Sequence, residues 1–481
     1  QGDAVYTSSL FFDTTDHDQQ VSDTAVASVT FLLPVGPEQY LKHTFTLAGQ
    51  SYTLEHAWEV VGLRSVLDAT PIRFVWNDHI KRAEKDLKAC RNKTTINYYL
   101  ANDKFNALKE HASTSQERLL NSPVQWVGIK QRFFTAAIIA HTPFASGYVA
   151  TTPTPQSTTT VKEAKMRLAL PEVAPNEDPK GTFTFYFGPN DYYTLKQVTK
   201  GFAKNIYLGW PVVRWINHLL IMPLFTLLEL YVSSYGLIIV LLVLVIKSLL
   251  LPLSYRSYIS MAKMRVLKPS IDALKAKHGN DTQKIQIAQM NLYREMGINP
   301  LSGCIPVLLQ MPILLAMFNF FPNAIALRQQ AFLWANDLST YDAILQLPFT
   351  IPAYGSHVSL FTLLMTASTI LYTWSNNELA ASQDGPMKMI TYLMPLTFMF
   401  ILNSFPAGLS FYYFVSNLVT FGQQSLIKRF VDEDKLLKKL EANRVANKDR
   451  KKSRFQLRLE EAMKTEGNKK PRPSKKNRPK K

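Results

Sequence analysis

The chain's most informative chemical group is Lys247, a single cation inside the apolar run Gly236 to Leu253, GLIIVLLVLVIKSLLLPL. At about 1.5 Å per residue, eighteen residues nearly cross a hydrocarbon core of about 30 Å, so the run predicts a membrane span. An ammonium held there costs about 2.5 to 3.5 kcal/mol near the centre. Two placements relieve that cost: a watery interior shared with other helices, or a side chain that snorkels to the nearer headgroups. Only the first is a functional site.

No other constellation suggests covalent chemistry. His218 and His357 fall at expected membrane edges, no span shares Ser, His and carboxylate, and HExxH spacing is absent. The expectation is a protein that is not an enzyme, with no metal and no cofactor. Cys90 and Cys304 fall in different segments, so a disulfide framework is not expected.

The elements that must position Lys247 follow from segment composition. The chain has 481 residues and net charge +18, and two segments account for that surplus. Residues 254–300 hold 8 Lys/Arg against 3 Asp/Glu, and the tail from Lys428 holds 21 against 8. By the positive-inside rule both lie in the cytoplasm.

Further apolar segments are Gly303 to Phe321, His357 to Trp374, Met387 to Asn403 and Gly408 to Ile427. With the first run they make five alternating spans. Several are short for the core, which requires thinned bilayer or shielding neighbours. Pro306, Pro312 and Pro395 fall within them, and Ser404 to Ala407 reads as a tight hairpin. The loop Pro322 to Ser356 falls outside and Ser375 to Gly385 inside. Trp210 to Ser234 is interrupted by Arg214, His218, Pro223 and Glu229, which suits an interfacial helix better than a crossing one. Tyr255 to His278 and Thr282 to Met296, separated by Gly279, Asn280 and Asp281, predict a cytoplasmic helical hairpin. Its residues Met261, Met264, Leu267, Ile271 and Leu274 follow helical spacing. That pattern serves as a seam between the two helices or as an adaptable apolar contact surface.

The first two hundred residues alternate β-branched and aromatic runs with Pro, Gly, Asn and Asp clusters, which predicts an antiparallel β-sandwich. The runs are Ala4 to Phe12, Ala27 to Leu33, His43 to Leu54, Ile72 to Trp76, Thr94 to Leu100, Val124 to Thr142 and Thr182 to Phe187. Thr151 to Thr160 reads as a polar loop and Tyr192 to Lys204 as helix. A missing upstream anchor or signal is expected, because this segment belongs outside the cytoplasm and the sequence starts at Gln1. The organisation is then residues 1–205 β domain, 206–235 interfacial helix, 236–427 membrane core with the hairpin 254–300, and 428–481 basic tail. Lys435 to Lys464 is expected to be helical and the final NKKPRPSKKNRPKK disordered.

An ordered set of short motifs resembles the YidC-type membrane protein insertase family of Gram-negative bacteria. These are Val245-Ile246-Lys247 with Leu251-Pro252-Leu253, Met261-Ala262-Lys263-Met264, Asn299 to Cys304, and Gln310-Met311-Pro312-Ile313. Phe405 to Leu409, and Tyr412-Tyr413 through Leu418, complete it. They cover about half the chain, and the loop after Phe321 is phrased as in Bacteroidetes members. Most members carry arginine where this chain has Lys247, so a point charge replaces a bidentate fork.

The resemblance implies an inner membrane insertase and chaperone with a periplasmic β domain, whose groove is hydrophilic, open to cytoplasm and lipid, and receives nascent membrane proteins. Lys247 would attract acidic flanks. Gln310, Thr366, Thr369, Asn417, Thr420 and Gln423 would be polar groove walls or interhelical hydrogen bonds. Tyr412 and Tyr413 would pack or anchor. The implied partners are nascent chains, a Sec translocon, the ribosome through the basic tail, and anionic lipid. A solute or ion transporter is the alternative. Against it stand the odd span count and the lack of an inverted repeat.

Overall fold

A computed structural model describes residues 5–63, 72–174, 177–279, 281–299, 302, 305–377 and 386–446. It comprises two compact units, Gln1–Leu208 with Asn323–Arg328, and Gly209–Pro322 with Gln329–Lys481.

The first unit is an antiparallel β domain. One sheet holds β1 (Val26–Gly36), β2 (Gln39–Ala48), β3 (Thr53–Val61), β5 (Thr95–Leu100), β6 (Phe105–Ala107), β8 (Val124–Lys130), β9 (Phe134–Phe144) and β12 (Lys180–Pro189), ordered β1-β2-β3-β12-β9-β8-β5-β6. The other is ordered β4-β11-β10-β7, from Arg73–Lys81, Thr160–Ala169, Ser146–Pro153 and Gln116–Leu120. The pairing alternates side chains between faces. In β11, Ala164, Met166 and Leu168 are buried while Lys165 and Arg167 are exposed. Side chains from both sheets, including Ile80, Val127, Ile138, Val149, Met166 and Phe183, close a single core. On the other face of the larger sheet, α2 (Tyr192–Val198) and a 3-10 turn at Phe202–Asn205 cover Trp126 and Tyr186. Gly201 joins them at φ +76°, where a Cβ would stand 2.4 Å from the Tyr99 ring.

Several β runs need correction. Ala4 to Phe12 is not a strand; its described part holds a 3-10 turn, Thr7–Ser9, and only Asp13 bridges to Leu32. His43 to Leu54 and Val124 to Thr142 each contain two strands, because a turn leaves no break in β-forming composition. The apolar pattern does not mark β7 and β11, whose outward faces carry charges, or β10, where Ser, Gly, Thr and Pro dilute it. The stretch 151–160 is loop apart from its ends, which finish β10 and begin β11.

The second unit is helical. Pro211–Ile216 (α3) runs through a π-helical turn, Asn217–Ile221, into Met222–Glu229 (α4). This stretch is long and apolar enough to cross a membrane, so Pro223 does not divide it. α5 (Tyr235–Leu249) and α6 (Leu251–Val266) meet at an angle of 62°. The run Gly236 to Leu253 is therefore not one straight helix: it breaks at Leu250, and Pro252 opens the first turn of α6, where its missing N–H costs nothing. Tyr255 to His278 is likewise two helices, since α7 (Lys268–His278) starts afresh after Leu267 with Pro269 in its first turn. The hairpin proper is α7 against α8 (Thr282–Glu295).

α9 (Ile305–Phe320), α10 (Leu360–Asn377), α11 (Pro386–Leu402) and α12 (Ala407–Phe430) follow, with α12 packed on α5 and α10. Pro312 and Pro395 lie inside helices, whereas Pro306 falls in the first turn of α9. The link between α11 and α12 is the tight turn expected, ending at Pro406. A small ladder, β13 (Leu345–Ile351) with β14 (Gly355–Val358), precedes α10, and α13 (Glu433–Ala446) ends the described chain. The tail beyond 446, Cys304, and most of the link 375–385 lie outside the described residues.

Candidate functional site

Lys247 lies in the last turn of α5, where a cation also favours the negative end of the helix dipole. Its flanks Ile246 and Val243 are 1% exposed and hold that face against the bundle. The side chain is half-buried. Its Nζ donates to Gln310 Oε1 of α9 across 3.5 Å, and Gln423 Nε2 of α12 donates to the Lys247 carbonyl at 3.2 Å. Three helices thus bring their polar groups to one place. Among the described residues no carboxylate pairs with Lys247.

A second polar group joins α10 to α12. Asn417 Nδ2 donates to Ser368 Oγ at 2.9 Å and to Thr369 Oγ1 at 2.8 Å. Thr369 also donates to the Met365 carbonyl at 2.7 Å. Thr366 and Thr420 donate to the carbonyls four residues back, Thr362 at 2.8 Å and Ser416 at 2.7 Å. Such back-bonding satisfies a hydroxyl locally and leaves only its acceptor lone pairs for anything else. Thr366 is 4% exposed. Of the six candidate wall residues, Gln310 and Gln423 join Lys247, while Thr369 and Asn417 join each other. Thr366 and Thr420 answer to their own helices.

Tyr412, 1% exposed, packs beside the Phe321 ring at 5.7 Å; Tyr413 lies 5.7 Å from Phe318. In the helical hairpin Leu267 and Ile271 are 1% and 2% exposed and close a seam with Leu292, Tyr293, Met296 and Leu440. As open contact residues these two are corrected: helical spacing turns them onto α8, and burying each contributes about 1.5 to 3 kcal/mol. Met264 packs at the edge of that seam and Met261 is half-buried.

Two polar groups went unforeseen. Ser260 hydrogen-bonds Ser302, tying α6 to the segment before α9. Asp342, 4% exposed, accepts from the backbone N–H of Leu360 at 2.9 Å and Phe361 at 3.0 Å, and from Trp334 Nε1 at 3.0 Å. The available signal was its position: no Asp, Glu, Lys or Arg occurs again until Glu378. Across the described residues no group of three His, Cys, Asp or Glu forms a metal site.

Comparison with known proteins agrees with this layout. Residues 1–226 match the family described as the YidC periplasmic domain, and residues 227–435 match the 60Kd inner membrane protein family. A membrane protein insertase YidC of Amoebophilus asiaticus is 61% identical over 462 residues, covering 96% of this chain and 77% of the relative. One from Cytophaga hutchinsonii is 49% identical, covering 91% and 73%. One from Parabacteroides distasonis is 38% identical, covering 91% and 71%. The chain is an inner membrane protein with a periplasmic β domain. It belongs to the YidC family of membrane protein insertases.

Proposed function

We propose that this insertase lowers the barrier to segments of new membrane proteins by offering their polar flanks a cationic, hydrated groove centred on Lys247. The observation that carries the reading is a half-buried ammonium with no carboxylate beside it among the described residues and only a long hydrogen bond, to Gln310. A cation placed so has unused capacity for an incoming acidic group. Moving a polar group through hydrocarbon costs several kcal/mol, and a wet, charged stop part-way reduces the dry distance. The client's own apolar segment supplies the driving force as it enters lipid. No bond of the client is made or broken, so the protein acts as a chaperone rather than an enzyme.

In this reading the groove walls are Gln310 and Gln423 near the charge and Thr369 and Asn417 further along, with Thr366 and Thr420 lining rather than binding. Met261, half-buried on α6 ahead of the hairpin proper, is the residue of this apolar series left to touch a client. The chain crosses the inner membrane five times, beginning with α5, with 1–205 in the periplasm and 428–481 in the cytoplasm. Helix 211–229 lies in the interface. A transporter role gains nothing from the relatives, which are named as insertases. Nascent chains can arrive directly or from a Sec translocon, and the basic tail suits ribosomal RNA or anionic lipid. Truncation after Phe430 is expected to remove a salt-sensitive part of ribosome cosedimentation; unchanged binding would leave the tail as a topology signal.

The central test compares clients. Lys247→Ala should slow insertion of acidic-flanked clients severalfold more than neutral ones in reconstituted vesicles, with Lys247→Arg retaining the preference. Equal slowing of both would remove the electrostatic role.

A further inference from the structure

The ladder of β13 and β14 has no part in the groove, yet it is held with unusual firmness. Asn403, fully buried, donates from Nδ2 to the carbonyls of Tyr354 at 3.0 Å and His357 at 2.8 Å, while its Oδ1 accepts from Ser359 N–H at 3.0 Å. His357 Nε2 donates to the Asn403 carbonyl at 2.8 Å, and the His357 ring stacks on Tyr341 at 3.7 Å. Asp342 fixes the start of α10 just beyond. The root of the ladder is therefore rigid.

Its outward side chains are apolar and uncovered, at the paired base beside Val358 as well as further out. Ile344, Leu345 and Phe349 are 50%, 55% and 60% exposed, and the stretch 343–359 before α10 contains no Asp, Glu, Lys or Arg. Loops that face water at the ends of spans seldom combine apolar tips with so long an absence of charge. The apolar surface continues onto α11: Tyr354 packs on the Phe400 ring at 5.4 Å, and Phe400, Leu393 and Ile401 of that helix are 39%, 50% and 52% exposed. A two-stranded ladder alone is marginal in water, so both its clamp and its surroundings matter.

We infer that this ladder is a fixed wedge seated in the headgroup and upper acyl region of the outer leaflet, its occupant being bilayer lipid. The inference rests on the membrane orientation proposed above. The clamp at Asn403 fixes the ladder's base, Tyr354 joins it to α11, and continuity with that helix's exposed apolar face identifies lipid, rather than another protein, as what covers Phe349 and Leu345. Amphipathic segments bind interfaces through this combination of apolar tips and hydrogen-bonded backbone.

Site-directed spin labelling of the full chain in proteoliposomes tests the wedge. With Cys90 and Cys304 replaced by alanine, nitroxides are placed through Phe349→Cys and, as a second position, Leu345→Cys. Met394→Cys on α11 serves as a span reference, and Ser113→Cys on the exposed β domain surface as an aqueous one. The wedge predicts that labels at 349 and 345 collide severalfold more with oxygen, relative to a water-soluble nickel chelate, than the label at 113. If they match the label at 113 while the one at 394 is lipid-exposed, the wedge is overturned and the membrane reading stands. If both reagents are excluded from 349 and 345, a protein surface such as a second copy covers them, which also overturns it. A water-exposed label at 394 overturns the membrane reading and the wedge together.

Discussion

The two units treat buried lysines in opposite ways. In the β domain Lys130, 4% exposed, meets Glu110 Oε1 at 2.7 Å, and Lys162, 2% exposed, donates to the carbonyls of Thr94 and Glu110 at 2.7 Å each. Arg328 is matched likewise by Glu84 at 2.7 Å. In the helical unit Lys247, among the described residues, reaches Gln310 at 3.5 Å and no carboxylate. A buried charge whose partners are all internal belongs to the scaffold. One with no carboxylate beside it among the described residues fits the client-binding role proposed for Lys247. The contrast teaches where to look for work in this molecule: at unbalanced charge, not at charge as such.

The contrast can be broken by measuring what each cation contributes to stability. The largest effect is expected from Glu110→Ala, which strands Lys130. Stability in the β domain should fall by about 3 kcal/mol, the low end for breaking a buried pair, because Glu110 is partly exposed. Amide hydrogen exchange in β5 and β8 of the full chain would then quicken roughly a hundredfold.

A second, somewhat smaller effect concerns pH. His43 Nδ1 and His56 Nε2 share a hydrogen bond at 2.8 Å, and burial pushes both imidazoles below their usual range, His56 to about 4. The folded pair therefore refuses protons that the unfolded chain accepts below about 6.5. Stability is intact above that value and should decline by about 2 kcal/mol as pH falls to about 5. His56→Gln should flatten this slope in exchange measurements at pH 7 and 5; an unchanged slope would assign it to other groups.

The smallest effect sharpens the contrast most. Lys247→Met removes an ammonium that has no carboxylate partner among the described residues and only a long bond to Gln310, so thermal stability should stay within about 1 kcal/mol of the parent. A loss as large as that of Glu110→Ala would mean that Lys247 is scaffold after all.

Much of this arrangement was legible in the residues. The Lys/Arg surplus marked two segments, the apolar runs found the helices from α9 to α12, and Pro406 marked the tight turn before α12. Spacing also placed Leu267 and Ile271 on one face, leaving seam or contact surface open until α8 was seen covering them. The break at Leu250 was hidden because apolar composition continues through it; Pro252 was the only sign. Strand β11 was obscured by exposed charges on alternate positions, and β10 by its Ser, Gly, Thr and Pro content. The convergence of Asn403, His357 and Asp342 joins residues up to 61 positions apart, and no local pattern encodes such a meeting.

Leu440 of α13 belongs to the same dry cluster that closes α7 against α8, and Arg444 to Glu295 at 3.4 Å and Arg265 to Glu433 at 3.1 Å brace it from either side. The C-terminal arm is thus mechanically in series with the hairpin. A body that grips the arm and pulls strains the hairpin's own interior, so load on the arm passes directly to the packing between α7 and α8.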